Sequence, residues 1–147
     1  MDEQNMRQIT GQLMRLMLEF YYDLQEHPLA QGKFKLNSLS FHILFRLFSS
    51  QTGKLTIREL TEKMQISKPQ LIRLVNNLED EHLVIRERFK ENRRIVFLSL
   101  SKEGTAYMQQ ILQEMENNIL QSLAGKDSAK LSAFADGVCK IAEAMEL

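Results

Sequence analysis

The chain has 147 residues, with 19 Lys/Arg balanced by 19 Asp/Glu and a single cysteine. This length suggests one domain that buries its own core, and a lone cysteine excludes an internal disulfide. No apolar run approaches the roughly 20 residues that cross a bilayer, and residues 1–10 lack the apolar region of a secretory signal. These features predict a cytoplasmic protein with no membrane partner.

The first two predicted helices are separated by a proline. Apolar residues recur at helical spacing over residues 5–26, and His27-Pro28 ends the pattern, because a residue before proline is pushed out of the α region. Asn37 or Ser38 can cap a second helix that runs through about residue 50. Its inward positions are predicted to be Phe41, Leu44, Phe45 and Phe48.

Two capping-box spacings then predict a helix-turn-helix. Thr56 and Glu59 begin a short helix that ends near residue 64, and Ser67 and Gln70 begin the next, which runs to about residue 82. Pro69 fits the first turn of the second helix, where its missing N–H costs little. Two short helices joined by so brief a turn form a helix-turn-helix. The buried positions of the second helix are predicted to be Leu71, Leu74, Val75 and Leu78.

The next segment has the pattern of a β-hairpin. LVIRER (83–88) and RRIVFLSL (93–100) are β-rich, and the polar tip FKEN separates them. A helix is predicted from Ser101 to about residue 123, and a last helix follows the break at Gly125-Lys126-Asp127. A helix-turn-helix followed directly by a hairpin is a winged helix.

A winged helix of this kind predicts DNA binding. Its second helix enters the major groove, and its hairpin tip can touch phosphates or the minor groove. The Gln70 amide can pair with the N6/N7 edge of adenine, and Arg73 can read guanine or hold phosphate. The alternative is an ordinary amphipathic helix with a solvated polar face. The candidate DNA contacts are Ser67, Lys68, Pro69, Gln70, Arg73, Asn77, Arg86, Arg88, Lys90, Arg93 and Arg94.

The charge distribution favours the same region. Residues 54–94 carry ten basic and seven acidic side chains, whereas residues 95–147 carry four and seven. For a nucleic-acid partner the distribution matters more than the neutral sum. The excess of three is modest, since a run of charge is usually a solvated face, but it coincides with the predicted winged helix.

The segment 55–104 resembles the core of the MarR family of bacterial transcriptional regulators. The family's recognition helix, following strand, wing and helix start are matched by ISKPQLIRLVNNLE, LVIR, NRR and LSLSKEG. The resemblance implies a mainly α fold of six helices with a small β-hairpin wing. Residues 37–100 would form the winged helix-turn-helix, and residues 1–36 and 101–147 would supply dimerisation helices within a single MarR-like chain.

Two positions depart from the family pattern. Asn92 stands where the family has an aspartate that steadies a wing arginine, so either Glu91 supplies the charge or the wing is held more loosely. His82 stands where a glycine usually ends the recognition helix, and histidine adopts the left-handed conformation at some cost.

The resemblance also implies a homodimer on a pseudo-palindromic operator, with half-sites about 10 bp apart. The apolar stripes at 6–24, 108–123 and 131–145 favour a partner subunit independently, and an intramolecular helical bundle is the alternative. The family implies a repressor whose DNA binding responds to a small aromatic or amphipathic ligand. Residues that would line such a pocket, or else simply form core, are Met14, Met17, Tyr21, Phe41, His42 and Phe45.

No cofactor, metal or enzymatic activity is predicted. His42 aligns with a zinc ligand of one branch of the family, but the histidine pair that completes that site is missing from the fifth helix. Cys139 lies beside Val138 and Ile141, which predicts a packed thiol rather than a redox sensor. No catalytic motif is present. The rival to a DNA-binding regulator is therefore a winged helix that binds another protein and not DNA.

Overall fold

A computed structural model describes residues 3–26, 33–92 and 94–144, with the side chains of residues 19–26 and 122 outside the description. The chain forms two compact units, Met1–Ile111 and Leu112–Leu147. The described residues form six helices, as the sequence predicted, and three short strands. In chain order these are α1 (Glu3–Glu26), α2 (Leu39–Phe48), β1 (Lys54–Thr56), α3 (Ile57–Met64), α4 (Lys68–Asp80), β2 (Val84–Arg88), β3 (Val96–Leu100), α5 (Lys102–Leu123) and α6 (Ser128–Ala144).

The wing is an antiparallel sheet in which β3 lies between β1 and β2. Leu98 of β3 is paired with Leu55 on one side and with Arg86 on the other. The hairpin β2–β3 was predicted, whereas β1 was not. A strand of only three residues has no periodicity of its own, and β1 exists because β3 provides a partner more than 40 residues later in the chain.

The core of the first unit lies among α2, α3, α4 and the sheet. Fully buried side chains come from every layer: Ile43, Leu44, Leu47, Leu60, Leu71, Val75, Leu78 and Leu98. On α2 the predicted inward positions are confirmed at Phe41 and Leu44. The prediction is wrong for Phe45, which is 42% exposed, because the buried face of this helix follows the 40, 43, 44 and 47 spacing.

Local side-chain caps fix where the three central helices begin. The Ser38 hydroxyl accepts the N–H of Phe41, and the Thr56 hydroxyl accepts the N–H of Glu59. The Glu59 carboxylate in turn accepts the N–H of Thr56 at 2.7 Å, which completes the predicted capping box. Ser67 accepts the N–H of Gln70 at 3.3 Å and begins α4 where it was predicted.

The end of α4 is closed by a left-handed residue. His82 has a φ of +58°, and the following N–H, that of Leu83, donates to the Leu78 carbonyl at 2.9 Å. This arrangement satisfies carbonyls that the last turn of a helix leaves free. His82 therefore adopts the conformation that a glycine would adopt more easily, as the family comparison of the sequence anticipated.

The start of α5 is packed directly against this chain reversal. The Ser101 hydroxyl donates to the His82 carbonyl at 2.6 Å and accepts the N–H of Gly104 at 2.8 Å. A Cβ added to Gly104 would lie 2.0 Å from the Leu83 carbonyl oxygen. The glycine of LSLSKEG is thus required by the close approach of two backbones, and it joins α5 to the winged helix.

The outer helices differ from this core. α6 has no buried residue, and α1 exposes apolar side chains on the faces described for it, among them Met6, Ile9, Leu13 and Leu16. No helix of the described ranges is both long and apolar enough to cross a membrane.

Candidate nucleic-acid interface

The recognition helix α4 divides cleanly into a buried and an exposed face. Leu71, Val75 and Leu78 are buried against the sheet and the other helices. The predicted DNA contacts lie elsewhere on the helix: Gln70 is half-buried, and the exposed residues are Ser67, Lys68, Pro69, Arg73 and Asn77. The spacing 69, 73 and 77 keeps three of these side chains on one face over two turns. Their side chains are therefore accessible to a groove of DNA.

The tip of the wing is braced by Asn92. Its side-chain oxygen accepts the N–H of Arg94 at 3.1 Å, and its carbonyl accepts the N–H of Ile95 at 2.9 Å. A further backbone bond, from the N–H of Phe89 to the carbonyl of Ile95, closes the loop at 3.0 Å. Asn92 thus steadies the backbone that carries Arg94 by a hydrogen bond and not by a charge.

Glu91 does not pair with Arg94 in the part of the wing that the structure describes. In the described parts of the chain neither Glu91 nor Arg94 forms an ion pair, and both side chains are exposed. Arg88 and Lys90 are exposed along the same hairpin. Arg93, a predicted DNA contact, lies outside the described residues.

Arg86 is placed differently from the other basic residues of the wing. Its Nη2 atom donates to the Asn76 side-chain oxygen at 2.6 Å and lies 2.7 Å from the Glu79 carboxylate. Both acceptors belong to α4. Arg86 stays a predicted DNA contact, but its guanidinium is engaged within the protein.

A cleft of about 740 Å³ brings α3, α4 and the wing together. Basic side chains line it from all three elements: Arg58, Lys68, Arg86 and Arg94. Arg58 was not among the predicted site residues. Arg58 lies in the first turn of α3 and pairs with Glu62 at 2.8 Å. The sequence could have indicated it as a site residue only through its place in the first helix of the helix-turn-helix. The basic surface therefore extends beyond the recognition helix and the wing tip.

The predicted ligand-pocket residues fall in different environments. Met14 and Met17 are exposed on α1, at 58% and 62%, and His42 is exposed on α2. Phe41 is buried, and its ring stacks with that of Phe45 at a centroid distance of 6.5 Å. The side chain of Tyr21 lies outside the described residues. The structure thus places Phe41 in the core and leaves the pocket as a prediction.

Cys139 and the described histidines, His42 and His82, do not belong to a cluster of metal ligands. Cys139 is exposed on α6 within the single chain, so the predicted packing of its thiol would have to come from a partner subunit. Among the residues that the structure describes, no three His, Cys, Asp or Glu side chains are grouped as metal ligands would be.

The helix-turn-helix and its flanking hairpin define a winged helix-turn-helix protein, and comparisons with known proteins show which family it resembles. Residues 36–96 match the family model of the MarR family. A MarR family protein from Bacillus stearothermophilus has a similar structure, with a TM-score of 0.79 at 18% identity, over 100% of this chain and 99% of the other. The winged helix of this chain is thus similar in sequence to the MarR family, and the fold is similar to that of a solved MarR family protein.

Further relatives and solved structures are also similar to this chain. The transcriptional repressor YetL from Bacillus subtilis is 28% identical over 137 residues, which cover 84% of this chain and 77% of YetL. The regulator SarU from Staphylococcus aureus is 31% identical over 70 residues, or 48% of this chain, and the match spans only 28% of SarU. A mutant of Escherichia coli MarR complexed with operator DNA has a similar fold, with a TM-score of 0.59 at 18% identity over 96% of this chain and 99% of that one.

Proposed function

We propose that this protein is a homodimeric transcriptional regulator, a repressor, that binds a pseudo-palindromic operator in the cytoplasm. The observation that supports this most directly is the cleft at which α3, α4 and the wing present Arg58, Lys68 and Arg94 together. A helix that enters the major groove must present polar side chains on the face away from the domain core, and α4 meets this requirement. Clustered guanidinium and ammonium groups bind the phosphates beside it.

The comparisons support DNA as the partner. MarR from Escherichia coli is a structural relative and has been crystallised with operator DNA, and the relative YetL is a transcriptional repressor. A family of transcriptional regulators gives no reason to expect an enzyme, in agreement with the sequence, which carries no catalytic motif. The rival function, a winged helix that binds only protein, would leave the basic cleft without a ligand.

Two helices with uncovered apolar surface support the dimer. α1 exposes Met6 and Ile9 at about half of their surface, and α6 exposes Phe134, Val138 and Ile141. Apolar side chains at helical spacing bury themselves against another helix when one is available. A second copy of the chain supplies such helices with twofold symmetry, which matches the symmetry of a palindromic operator.

DNA affinity as a function of salt tests the proposal. Operator fragments are first selected from a random DNA pool, and the affinity of the wild type is then measured from about 50 to 200 mM salt. Several phosphate contacts would give a steep loss of affinity over this range, whereas an apolar protein interface would not. No selected sequence and no dependence on salt would exclude this function and favour the protein-binding alternative.

Two substitutions separate the roles of wing and recognition helix in that assay. Arg94→Ala removes an exposed cation at the wing tip, so it should weaken binding to all sequences and lower the salt slope by about 1. Gln70→Ala should instead change the preference at one base pair, by about 1–3 kcal/mol. Lys126→Ala is the matched control, since it removes a cation between α5 and α6, outside the winged helix. If Arg94→Ala binds the operator as tightly as the wild type does, the wing tip is not part of the DNA interface.

A small aromatic or amphipathic effector completes the proposal. The family resemblance supports it, and so do the exposed methionines of α1, because methionine side chains adapt to irregular ligands. The selected operator makes a direct screen possible: aromatic ligands are added to the protein–DNA complex, and release of DNA is measured. Met17→Ala should lower the potency of an active ligand if α1 lines its site.

A further inference from the structure

Arg86 links the root of the wing to the recognition helix. Its guanidinium lies between the two elements, with the Asn76 oxygen at 2.6 Å and the Glu79 carboxylate at 2.7 Å from Nη2. The side chains of Arg86 and Glu79 are only 29% and 32% exposed, so this ion pair is better shielded from solvent than the others of the winged helix. Shielded pairs are weakened less by water and salt than surface pairs.

The link is placed where it controls the direction of the hairpin. Arg86 is paired across the sheet with Leu98, which is fully buried, so its Cα belongs to the fixed part of the wing. Asn76 and Glu79 lie three residues apart and therefore on one face of α4. The tip begins about three residues beyond Arg86, or roughly 10 Å along an extended strand, so a small rotation at the root moves the tip by a larger distance.

Two side chains of α4, Asn76 and Glu79, engage the Arg86 guanidinium. Its Nε atom is buried without a hydrogen-bond partner, as far as the described residues go. The Nη2 atom makes the bonds to both α4 acceptors. Removing Asn76 or Glu79 as an acceptor leaves the partly buried charge of Arg86 without enough polar partners, which costs free energy. The root of the wing would then move so that the guanidinium can reach other partners.

We infer that Arg86 is a positioning residue, which sets the wing against the recognition helix through Glu79 and Asn76, and that it does not bind DNA itself. This role rests on the proposed function, because it has consequences only where wing and recognition helix contact the same DNA. Hydrogen bonds between protein and DNA tolerate only a few tenths of an ångström of error in distance, so the wing must be held in one orientation to use Arg94.

Glu79→Gln distinguishes a positioning residue from a phosphate contact. If Arg86 positions the wing, the loss of the Glu79 charge weakens binding to the selected operator by about threefold to tenfold. If Arg86 contacts phosphate, the same change frees its charge and tightens binding, which would overturn the inference. The matched control is Glu81→Gln, which removes one negative charge at the same end of α4 but breaks the pair with Lys33 instead. Its affinity should equal or exceed that of the wild type.

A double-mutant cycle then shows which contact is lost. Arg94→Ala and Gln70→Ala are each measured in the wild type and in Glu79→Gln. A displaced wing makes Arg94→Ala at least about threefold less harmful in the Glu79→Gln protein and leaves the effect of Gln70→Ala unchanged. General destabilisation would alter both effects alike. Equal effects of Arg94→Ala in both proteins would overturn the inference.

The failure of this inference is separable from that of the proposed function. If the wild type binds no DNA, or if Arg94→Ala binds like the wild type, the proposed function or its wing fails, and the inference fails with it. The wild type and Arg94→Ala can behave as expected while Glu79→Gln and Glu81→Gln bind the operator with equal affinity. In that case only the positioning role inferred for Arg86 is wrong. Circular dichroism shows whether Glu79→Gln folds, and Asn76→Ala, which removes the other acceptor, repeats the test if it does not.

Discussion

The winged helix of this protein buries its apolar side chains, whereas the outer helices leave many of theirs exposed. Residues 39–100 bury leucines from both helices of the helix-turn-helix and from the middle strand completely. α6 carries Phe134, Val138 and Ile141 at the same helical spacing, yet buries none of its residues. The winged helix thus has a core of its own, whereas α6 leaves its apolar stripe exposed.

This difference has a thermodynamic consequence. Interactions inside one chain contribute to stability at any protein concentration, but interactions between chains contribute according to mass action. Substitutions in the two regions should therefore respond differently to dilution. Matched pairs of substitutions, one in each region, test the comparison directly.

Leu98→Ala should have the largest effect. Leu98 is fully buried in the middle strand, so its truncation should lower the free energy of unfolding by about 2–5 kcal/mol, through lost burial and the cavity left behind. Chemical unfolding at low and at high protein concentration measures this free energy, and Leu98→Ala should lower it equally at both concentrations.

Val138→Ala is the control on α6, where the side chain is 48% exposed in the single chain. Val138→Ala should lower the free energy of unfolding by less than Leu98→Ala does. This loss should become smaller on dilution, because the dimer dissociates. Sedimentation would measure the dissociation. A loss that does not depend on concentration would mean that α6 packs within its own chain, the intramolecular bundle that the sequence left open.

Gly104→Ala should have the next largest effect. The new Cβ would lie 2.0 Å from the Leu83 carbonyl oxygen, which also accepts the N–H of Ser101 at 3.0 Å. The start of α5 must move away from the winged helix, at a cost of about 1–3 kcal/mol in the free energy of unfolding. Thermal unfolding of the variant would measure this loss.

Gly137→Ala is the matched control, because it makes the same change inside α6. Nothing lies within 4 Å of a Cβ at Gly137, so alanine should stabilise the helix by about 0.5–1 kcal/mol. A loss of dimerisation in this variant would locate a close subunit contact at Gly137. Equal destabilisation by both substitutions would contradict the packing described for Gly104.

The features that the sequence predicted well are local ones. Ser38, Thr56 and Ser67 begin helices where the pattern placed them, because a cap involves residues only two or three positions apart. The wing hairpin was visible for a similar reason, since its two strands are neighbours in the chain. The family pattern added the left-handed position at His82, which periodicity alone does not show.

The features that the sequence missed depend on distant partners. The strand β1 forms on β3, and Phe45 is exposed because the neighbouring layers take up a different face of α2. Arg86 has the charge of a DNA contact, and only the folded chain shows that Glu79 and Asn76 engage it. A basic residue in a strand carries no sequence signal that distinguishes these two roles.

His82→Gly should have a smaller effect, in the opposite direction. His82 has a φ of +58°, where a side chain costs about 1 kcal/mol and glycine costs almost nothing. Glycine also gains freedom in the unfolded chain, so the net stabilisation should stay below about 1 kcal/mol. The bond from Ser101 is kept, since it uses the His82 carbonyl. Gln65→Gly, at a φ of +53°, should give a similar small stabilisation. If His82→Gly destabilises the protein and Gln65→Gly does not, the imidazole of His82 contributes to folding.

The smallest expected effect concerns the Glu59 carboxylate at the start of α3. The backbone N–H of Thr56, and then its hydroxyl, donate to this carboxylate and lower the pKa of Glu59 below its ordinary value. A pKa lowered by folding stabilises the protein above the unfolded value of about 4.3, and this contribution is lost as the pH falls through the folded pKa. The carboxylate is exposed, so the contribution should be under about 1 kcal/mol. Wild type and Glu59→Gln should therefore differ in stability at pH 6, and the difference should shrink as the pH falls below the unfolded value and through the folded pKa of Glu59. A difference that persists at low pH would assign the stabilisation to a group other than the carboxylate charge.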